Sequence, residues 1–300
     1  MERKIIVIVG PTASGKSDLA VLLARKFGGE IVSADSRQIY KGLDIGSGKI
    51  TKKEMQGVPH HLIDIANPRR TFTALQYQYY ARRTIQKIWQ QNKTPIICGG
   101  TGFYIQAVIN GLVLPEVKPQ RRFRDKLDKK TNQDLFHLLI RKDPARARTI
   151  DAKNKRRLIR ALEIVETLGR VPPLRSTPID AKILMIGISK KRDELKKLIS
   201  QRLFFRLHHG LIKEVERLHK SNISWKRLEN LGLEYRFVSH YLQDKSDLAT
   251  LKRGLNRAII NYAKRQITWF KRDKRINWVT NQKQAMTLTR DFMENNKETI

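Results

Sequence analysis

The chain opens on an unbroken apolar run, Ile5-Ile6-Val7-Ile8-Val9. Five such residues bounded by a turn predict a strand buried on both faces. Ser17–Phe27 then sets Leu19, Leu22, Leu23 and Phe27 at helical spacing. Glu30-Ile31-Val32-Ser33-Ala34 predicts a second strand, expected to lie beside the first and ending at Asp35. Thr73–Gln91 predicts a helix, and Pro95-Ile96-Ile97-Cys98 a third strand that runs into Gly99-Gly100-Thr101-Gly102. Strands alternating with helices imply an α/β fold with a parallel sheet and right-handed crossovers. Ligands of such sheets sit at the carboxyl ends of the strands. Gly10–Ser17, Asp35–Gln38 and Gly99–Gly102 all fall at such ends, so they are expected to converge on one site.

The pattern changes near Lys118, between Pro115 and Pro119. From there to Arg170 the chain is polar, basic and helical, with helix signals at Asp134–Arg141 and Lys155–Leu168, until Pro172-Pro173 breaks it. Lys182–Ile188 then predicts another buried strand. Residues 119–175 therefore read as a helical insert between two parts of one core, 1–118 and 176–300. The second part is dominated by helices expected at Lys191–His209, Leu211–Lys220, Glu234–Tyr241 and Ala249–Arg272. No internal repeat is visible, and the polar tail Asn295–Ile300 is expected to fray.

The turn after the first strand reads Gly10-Pro11-Thr12-Ala13-Ser14-Gly15-Lys16-Ser17. Strand, Gly-bearing loop and helix together form a phosphate-binding P-loop, and the expected fold is a P-loop NTPase-like parallel core. Its backbone N–H groups and helix N-terminus face an anion. Lys16 supplies a mobile cation, and the Ser17 hydroxyl can hold a magnesium ion that bridges two phosphates. By itself the loop suggests a nucleotide such as ATP and leaves the reaction open.

Charge narrows the partner. Sixty-one Lys and Arg stand against 28 Asp and Glu, a formal net charge of +33. An excess of that size, with clustered arginines, implies a polyanion, and nucleic acid is the expected partner. The single cysteine, Cys98, excludes an intramolecular disulfide and a Cys-based zinc site, and suits a reducing compartment. No apolar stretch approaches the ~20 residues of a membrane span. Only Met1–Lys4 precede the first strand, so a cytoplasmic protein without a signal peptide or membrane partner is expected, acting as a monomer.

Asp35, at its strand end, can cap the following turn or aim a carboxylate at the phosphate site as base or metal ligand. Ser36-Arg37-Gln38 adds donors that suit adenine and phosphate. Thr101 lies in a glycine turn whose glycines can equally serve close packing. His60-His61 and His208-His209 are assigned to loop and helix-end hydrogen bonds, not to metal. Asn256–Arg275 mixes Arg257, Lys264, Arg265, Lys271, Arg272, Lys274 and Arg275 with Tyr262, Trp269 and Phe270. That mixture suits single-stranded RNA, with Trp269 and Phe270 expected inside and the basic face outside.

Taken in order, GPTASGKS, DSRQIY at Asp35–Tyr40, DIGSGK at Asp44–Lys49, GVPHHLID at Gly57–Asp64, GGTGFY at Gly99–Tyr104, RALE at Arg160–Glu163 and YAKRQITWF at Tyr262–Phe270 resemble the bacterial tRNA dimethylallyltransferases, the tRNA isopentenyltransferase family. The resemblance spans nearly the whole chain. It implies transfer of a dimethylallyl group from dimethylallyl diphosphate to the exocyclic amine of adenosine 37, beside the tRNA anticodon, with magnesium. It makes Gly10–Ser17 a cradle for a leaving diphosphate, Asp35 the general base, Arg202 a diphosphate ligand and Thr101 a contact to the target nucleotide. The implied tRNA-contacting residues are Asp35, Ser36, Arg37, Gln38, Thr101, Arg122, Arg156, Arg157, Leu158, Ile159, Arg160, Tyr262, Lys264, Arg265 and Gln266, reading the anticodon stem-loop. The target base is expected to flip out of its stack.

Departures fall in four places, two of them at Arg37-Gln38, where the family commonly carries Ala or Met plus Leu or Val, and at Ile259-Ile260-Asn261, where it often has Ala-Thr-Arg. Ser47-Gly48-Lys49-Ile50 stands where the family usually has Thr-Ala-Lys-Pro, which predicts a looser loop. Leu231–Arg236 replaces a shorter pattern, often Val-Gly-Tyr-Arg. Three rivals remain from the residues alone. A P-loop small-molecule kinase would need an adenine pocket and an Arg-bearing lid. An enzyme prenylating free AMP would not need the +33 charge. An RNA-binding protein whose P-loop only senses nucleotide would not need Asp35, Lys16, Ser17 and Arg202 together.

Overall fold

The computed structural model describes residues 2–294. The tail Asn295–Ile300 lies outside the described residues. The chain divides into two compact units, Met1–Asn110 with Pro178–Ile300, and Gly111–Thr177.

The first unit runs β1 (Lys4–Val9), α1 (Lys16–Lys26), β2 (Gly29–Ser33), α2 (Lys52–Met55), β3 (His60–His61), α3 (Ala74–Gln90), β4 (Thr94–Gly99) and α4 (Gly102–Ile109). The second unit holds α5 (Arg121–Asp128), α6 (Asn132–Lys142), α7 (Pro144–Ala147) and α8 (Lys155–Leu168). The first unit then resumes with β5 (Lys182–Ile188), α9 (Arg192–His208), α10 (Leu211–Lys220), α11 (Trp225–Leu231), α12 (Leu233–Leu242), α13 (Leu248–Phe270), β6 (Ile276–Val279) and α14 (Gln282–Glu294).

Among the described residues all six strands are parallel, in the order β3-β2-β4-β1-β5-β6. Every residue of β1 is buried, because both faces of the sheet are covered. Ile5, Val7 and Val9 join one apolar cluster with Tyr77 of α3, Leu203 of α9 and Leu255 of α13. Ile6 and Ile8 join the opposite cluster with Leu19 and Leu23 of α1 and Ala285 of α14. A strand buried on two sides has no polarity to alternate, so the run is continuous even though its side chains divide between two layers.

One expectation is corrected. The strand that ends at Asp35 does not lie beside the P-loop strand, because β4 pairs with both β1 and β2 and separates them. Consecutive strands are neighbours only as a tendency, and a crossover lets a later strand slot between them. The consequence is local. Gly99, closing β4, packs so tightly on the Ala34 backbone that a Cβ there would overlap it. β6 and α14, which no sequence signal marked, extend the sheet edge and cover α1.

The second unit is wider than the expected 119–175. The Thr177 amide donates to Gly111 O at 2.9 Å and the Val113 amide to Arg175 O at 2.8 Å, closing the unit at its base. Leu127, Leu135, Leu139, Leu158 and Leu162 form its core. Glu163 is fully buried there and accepts from Gln120 N and Arg124 Nε, both at 2.7 Å, and from Arg160. Burial alone would raise its carboxyl, but these donors outweigh it and hold the group below its ordinary value.

Candidate active site

The P-loop is shaped as its glycines require. Gly15 caps α1 in the left-handed conformation, with φ 86°, where a side chain would be strained. Ser14 Oγ is buried in the loop without a hydrogen-bond partner among the described residues. The Lys16 ammonium folds back to donate to Pro11 O at 2.6 Å. Burial pulls Lys16 down to about 8, with the Arg202 guanidinium adding to the effect and the Asp35 carboxylate opposing it. The Cys98 thiol, which faces Lys16 O, is pushed by burial up to about 12 and stays protonated.

Asp35 performs the turn role and keeps an oxygen outside it. Its Oδ1 accepts from the Arg37 amide at 2.8 Å, closing a turn that carries Ser36, Arg37 and Gln38. Thr101 Oγ1 accepts from the Ser36 amide at 3.1 Å, so Thr101 braces this turn. Gln38 Nε2 donates to Gly48 O at 3.0 Å. Gln266 of α13 ties the two glycine loops together. Its Oε1 accepts from the Thr12 amide at 2.8 Å, and its Nε2 donates to Gly100 O at 3.0 Å.

These segments surround one cavity of about 190 Å³. Lys16, Ser17, Asp35, Arg37, Arg202 and Tyr262 are on its wall. The volume is below the ~300 Å³ at which ligand pockets usually begin, a size suited to a small anion. Three cationic side chains face two carboxylates, Asp35 and Glu234. Burial and the neighbouring Arg206 guanidinium pull Arg202 down to about 10, which leaves it cationic at neutral pH. Burial pushes the Tyr262 phenol up to about 12, so it remains a neutral hydrogen-bonding group. Two larger cavities, of about 620 and 550 Å³, line the β5–α13 and β6–α14 faces. Neither brings a carboxylate together with the P-loop lysine, so lining chemistry and not size selects the site.

The remaining expected RNA contacts divide. Arg122, Arg156 and Arg157 are exposed on the second unit. Leu158 and Ile159 are buried in that unit's own core, because consecutive residues turn around α8 and these two face inward. Arg160 is engaged with Glu163 and with Pro115 O and Val117 O. Lys264 and Arg265 are exposed on α13, with Arg265 over the Tyr262 ring. Gln266 is 6% exposed and occupied by the two loops, so its contacts are with protein. Phe270 is buried and Trp269 half-buried. His60 and His61 form β3 rather than a loop and bond to Val58 O and to Glu30 of β2, whereas His208 and His209 bond to their own helix carbonyls, as expected of a helix end.

Sequence reasoning missed the support of the far wall. Glu214 is buried and accepts from the amides of Asp44, Ile45 and Gly46 and from the Tyr235 hydroxyl, at 2.7 to 3.0 Å. One carboxylate thereby fixes the strap that carries Gly46–Gly48. The signal was present: Glu214 falls in the apolar stripe Leu211, Val215, Leu218, where an acid needs donors. All four departing segments reach the cavity, through Arg37 and Gln38, Ser47 and Gly48, Gly232–Glu234, and Ile259.

A family model described as IPP transferase matches residues 38–273. The chain is 42% identical over 280 residues to tRNA dimethylallyltransferase 1 of Syntrophus aciditrophicus, covering 92% of each chain. It is also 42% identical over 285 residues to tRNA dimethylallyltransferase 1 of Porphyromonas gingivalis, covering 92% of this chain and 93% of the other. Among solved structures it is similar to the full-length tRNA isopentenylpyrophosphate transferase of Bacillus halodurans. That match has a TM-score of 0.73 and 34% identity, covering 98% of this chain and 96% of the other.

Proposed function

The chain belongs to the IPP transferase family, and on that premise we propose that it moves a dimethylallyl group from dimethylallyl diphosphate to the exocyclic amine of adenosine 37 in tRNA. It is a transferase that prenylates tRNA. One observation carries the finer assignment: Lys16, Ser17, Asp35 and Arg202, from three separate segments, line a single anion-sized cavity.

The amine nitrogen attacks the first carbon of the dimethylallyl group. The carbon–oxygen bond breaks, and its electron pair leaves with the diphosphate. The amine is a weak nucleophile because its lone pair is drawn into the purine ring, so a base is needed to take its proton. Asp35 suits that role, because its Oδ1 is held by the turn while Oδ2 is not part of it. Lys16 and Arg202 meet the charge that grows on the departing oxygens, in a site where such charges act strongly. For Lys16 this means giving up Pro11 O for the anion.

Among the described residues no group of three His, Cys, Asp or Glu side chains could hold a metal alone. A single hydroxyl, Ser17, at a cavity of this kind fits magnesium, which takes few protein oxygens and completes its shell with phosphates and water. Bound there, magnesium would neutralise part of the leaving diphosphate's charge.

The RNA partner accords with the +33 charge, and a cytoplasmic monomer remains our reading. No helix among the described residues is long and apolar enough to cross a membrane. The direct test is incubation with bulk tRNA and dimethylallyl diphosphate, followed by mass analysis of the nucleosides. A prenylated adenosine is expected; phosphate transfer from ATP without prenyl donor would favour the kinase reading instead.

A further inference from the structure

The surroundings of Gly48 leave no room for a methyl group. Its φ is +62°, and a Cβ built there would overlap the Arg206 guanidinium and lie 2.7 Å from Arg202 Nη2. Arg206 follows Arg202 by four residues on α9, so both side chains leave the same face of the helix. Arg206 is 6% exposed. Its Nη1 donates to Gly46 O at 3.3 Å and pairs with Glu234 Oε1 at 3.2 Å.

The two guanidiniums are not equivalent. Gly46, Gly48, Glu234 and Arg202 line the cavity, whereas Arg206 stands behind that wall. Arg206 is buried and Arg202 partly buried; both feel the Glu234 carboxylate, and Arg206 holds the ion pair with it, while Asp35 faces Arg202 across the cavity without pairing. Among the described residues no ion pair claims Arg202. A partly buried cation without a partner is costly, and an incoming anion relieves that cost. The strap is held on its other side by Glu214, so Arg206 and Glu214 grip Gly46 from opposite polarities, one at its carbonyl and one at its amide.

We infer that Arg206 is a positioning residue of the anion site: by occupying Glu234 and pinning the Gly46–Gly48 strap it leaves Arg202 unpaired for the diphosphate, and Gly48 is glycine in order to admit it. This rests on the reading that the cavity takes a diphosphate. Without Arg206, Glu234 would turn to Arg202 and compete with the ligand. With a methyl at Gly48, Arg206 would be displaced and the same competition would follow.

The test measures binding of inorganic diphosphate by calorimetry, with the KM for dimethylallyl diphosphate and for tRNA measured alongside. The proteins are wild type, Gly48→Ala, Arg206→Met, the Gly48→Ala/Arg206→Met double variant, and Arg206→Met/Glu234→Gln. Arg206→Met is expected to weaken diphosphate about tenfold while leaving the tRNA KM unchanged. Adding Glu234→Gln should restore most of that loss, a rescue that a purely structural role would not produce. Gly48→Ala should cost about tenfold in the wild-type background, and in the Arg206→Met background only the smaller cost of a left-handed alanine. Unchanged binding in Arg206→Met, absence of rescue, or an equal Gly48→Ala cost in both backgrounds overturns the proposal. If Arg206→Met does not fold, Glu234→Gln alone decides: diphosphate binding equal to or tighter than wild type supports the proposal, and weaker binding overturns it. Diphosphate binding that follows this pattern in a protein without prenyl transfer would count against the reaction alone.

Discussion

Replacing Gln266 with alanine separates two roles that its position allows. The resemblance implies a tRNA contact, whereas its geometry makes it a tie between the P-loop and the turn after β4. The variant removes two hydrogen bonds, at 2.8 Å to the Thr12 amide and at 3.0 Å to Gly100 O, from a side chain that is 6% exposed. A net hydrogen bond is worth about 1 kcal/mol, and each backbone group left unpaired in a buried place costs about 1–3 kcal/mol. Thr12 is only half-buried, so its amide is put at about 1 kcal/mol; with about 1–3 kcal/mol for the buried Gly100 carbonyl the loss at the loops is roughly 2–4 kcal/mol. If about half appears in donor binding, since the Thr12 segment is part of the anion cradle, the donor KM rises roughly 5- to 30-fold. The assay varies donor and tRNA separately at steady state. Gln266→Met, which keeps the bulk but not the bonds, should match alanine. A raised tRNA KM with an unchanged donor KM would refute the argument.

Three further outcomes follow from the same geometry. Burial pulls Lys16 down to about 8, so its cation is present below that pH and lost as pH rises through it. The donor KM should therefore climb on the alkaline side of about 8, and Lys16→Arg, which stays charged, should flatten the limb; a limb unchanged in that variant sinks the assignment. Asp35→Asn keeps an oxygen for the Arg37 amide but no base, so the turn should persist while transfer falls by about 10²–10⁴, with tRNA still bound in a filter or gel assay; turnover at the wild-type rate would exclude Asp35 as the base. Affinity for tRNA should drop steeply with salt, because exposed cations such as Arg122, Arg156, Lys264 and Arg265 release counterions from phosphates, and a flat log–log plot would contradict that.

The strand–loop–helix at Ile5–Phe27, the helical insert and the candidacy of Lys16, Ser17 and Asp35 are legible in the sequence. Each is encoded locally, by an apolar run, a glycine at a fixed offset, or a change of period within a few residues. The charge of +33 likewise pointed to a polyanion without reference to shape. Arg202 became interesting only through the family resemblance, because an arginine on a helix carries no local mark of where it points.

What tertiary structure alone decided concerns neighbours far apart in sequence. That β4 lies between β1 and β2 depends on which crossover packs the sheet best, and no local pattern states it. Gln266 and Thr12 are 254 residues apart, and Glu214 and Ile45 are 169 apart, yet each pair shares a hydrogen bond. Leu158 and Ile159 look like members of a contact stretch until the helix turns them inward. Sequence determines which groups can donate, accept or carry charge; only the closed fold determines which of them have already satisfied one another, and so which remain for the ligand. Gly48 is the sharpest case, a residue that looked like a loosened loop and proves to be the space that Arg206 fills.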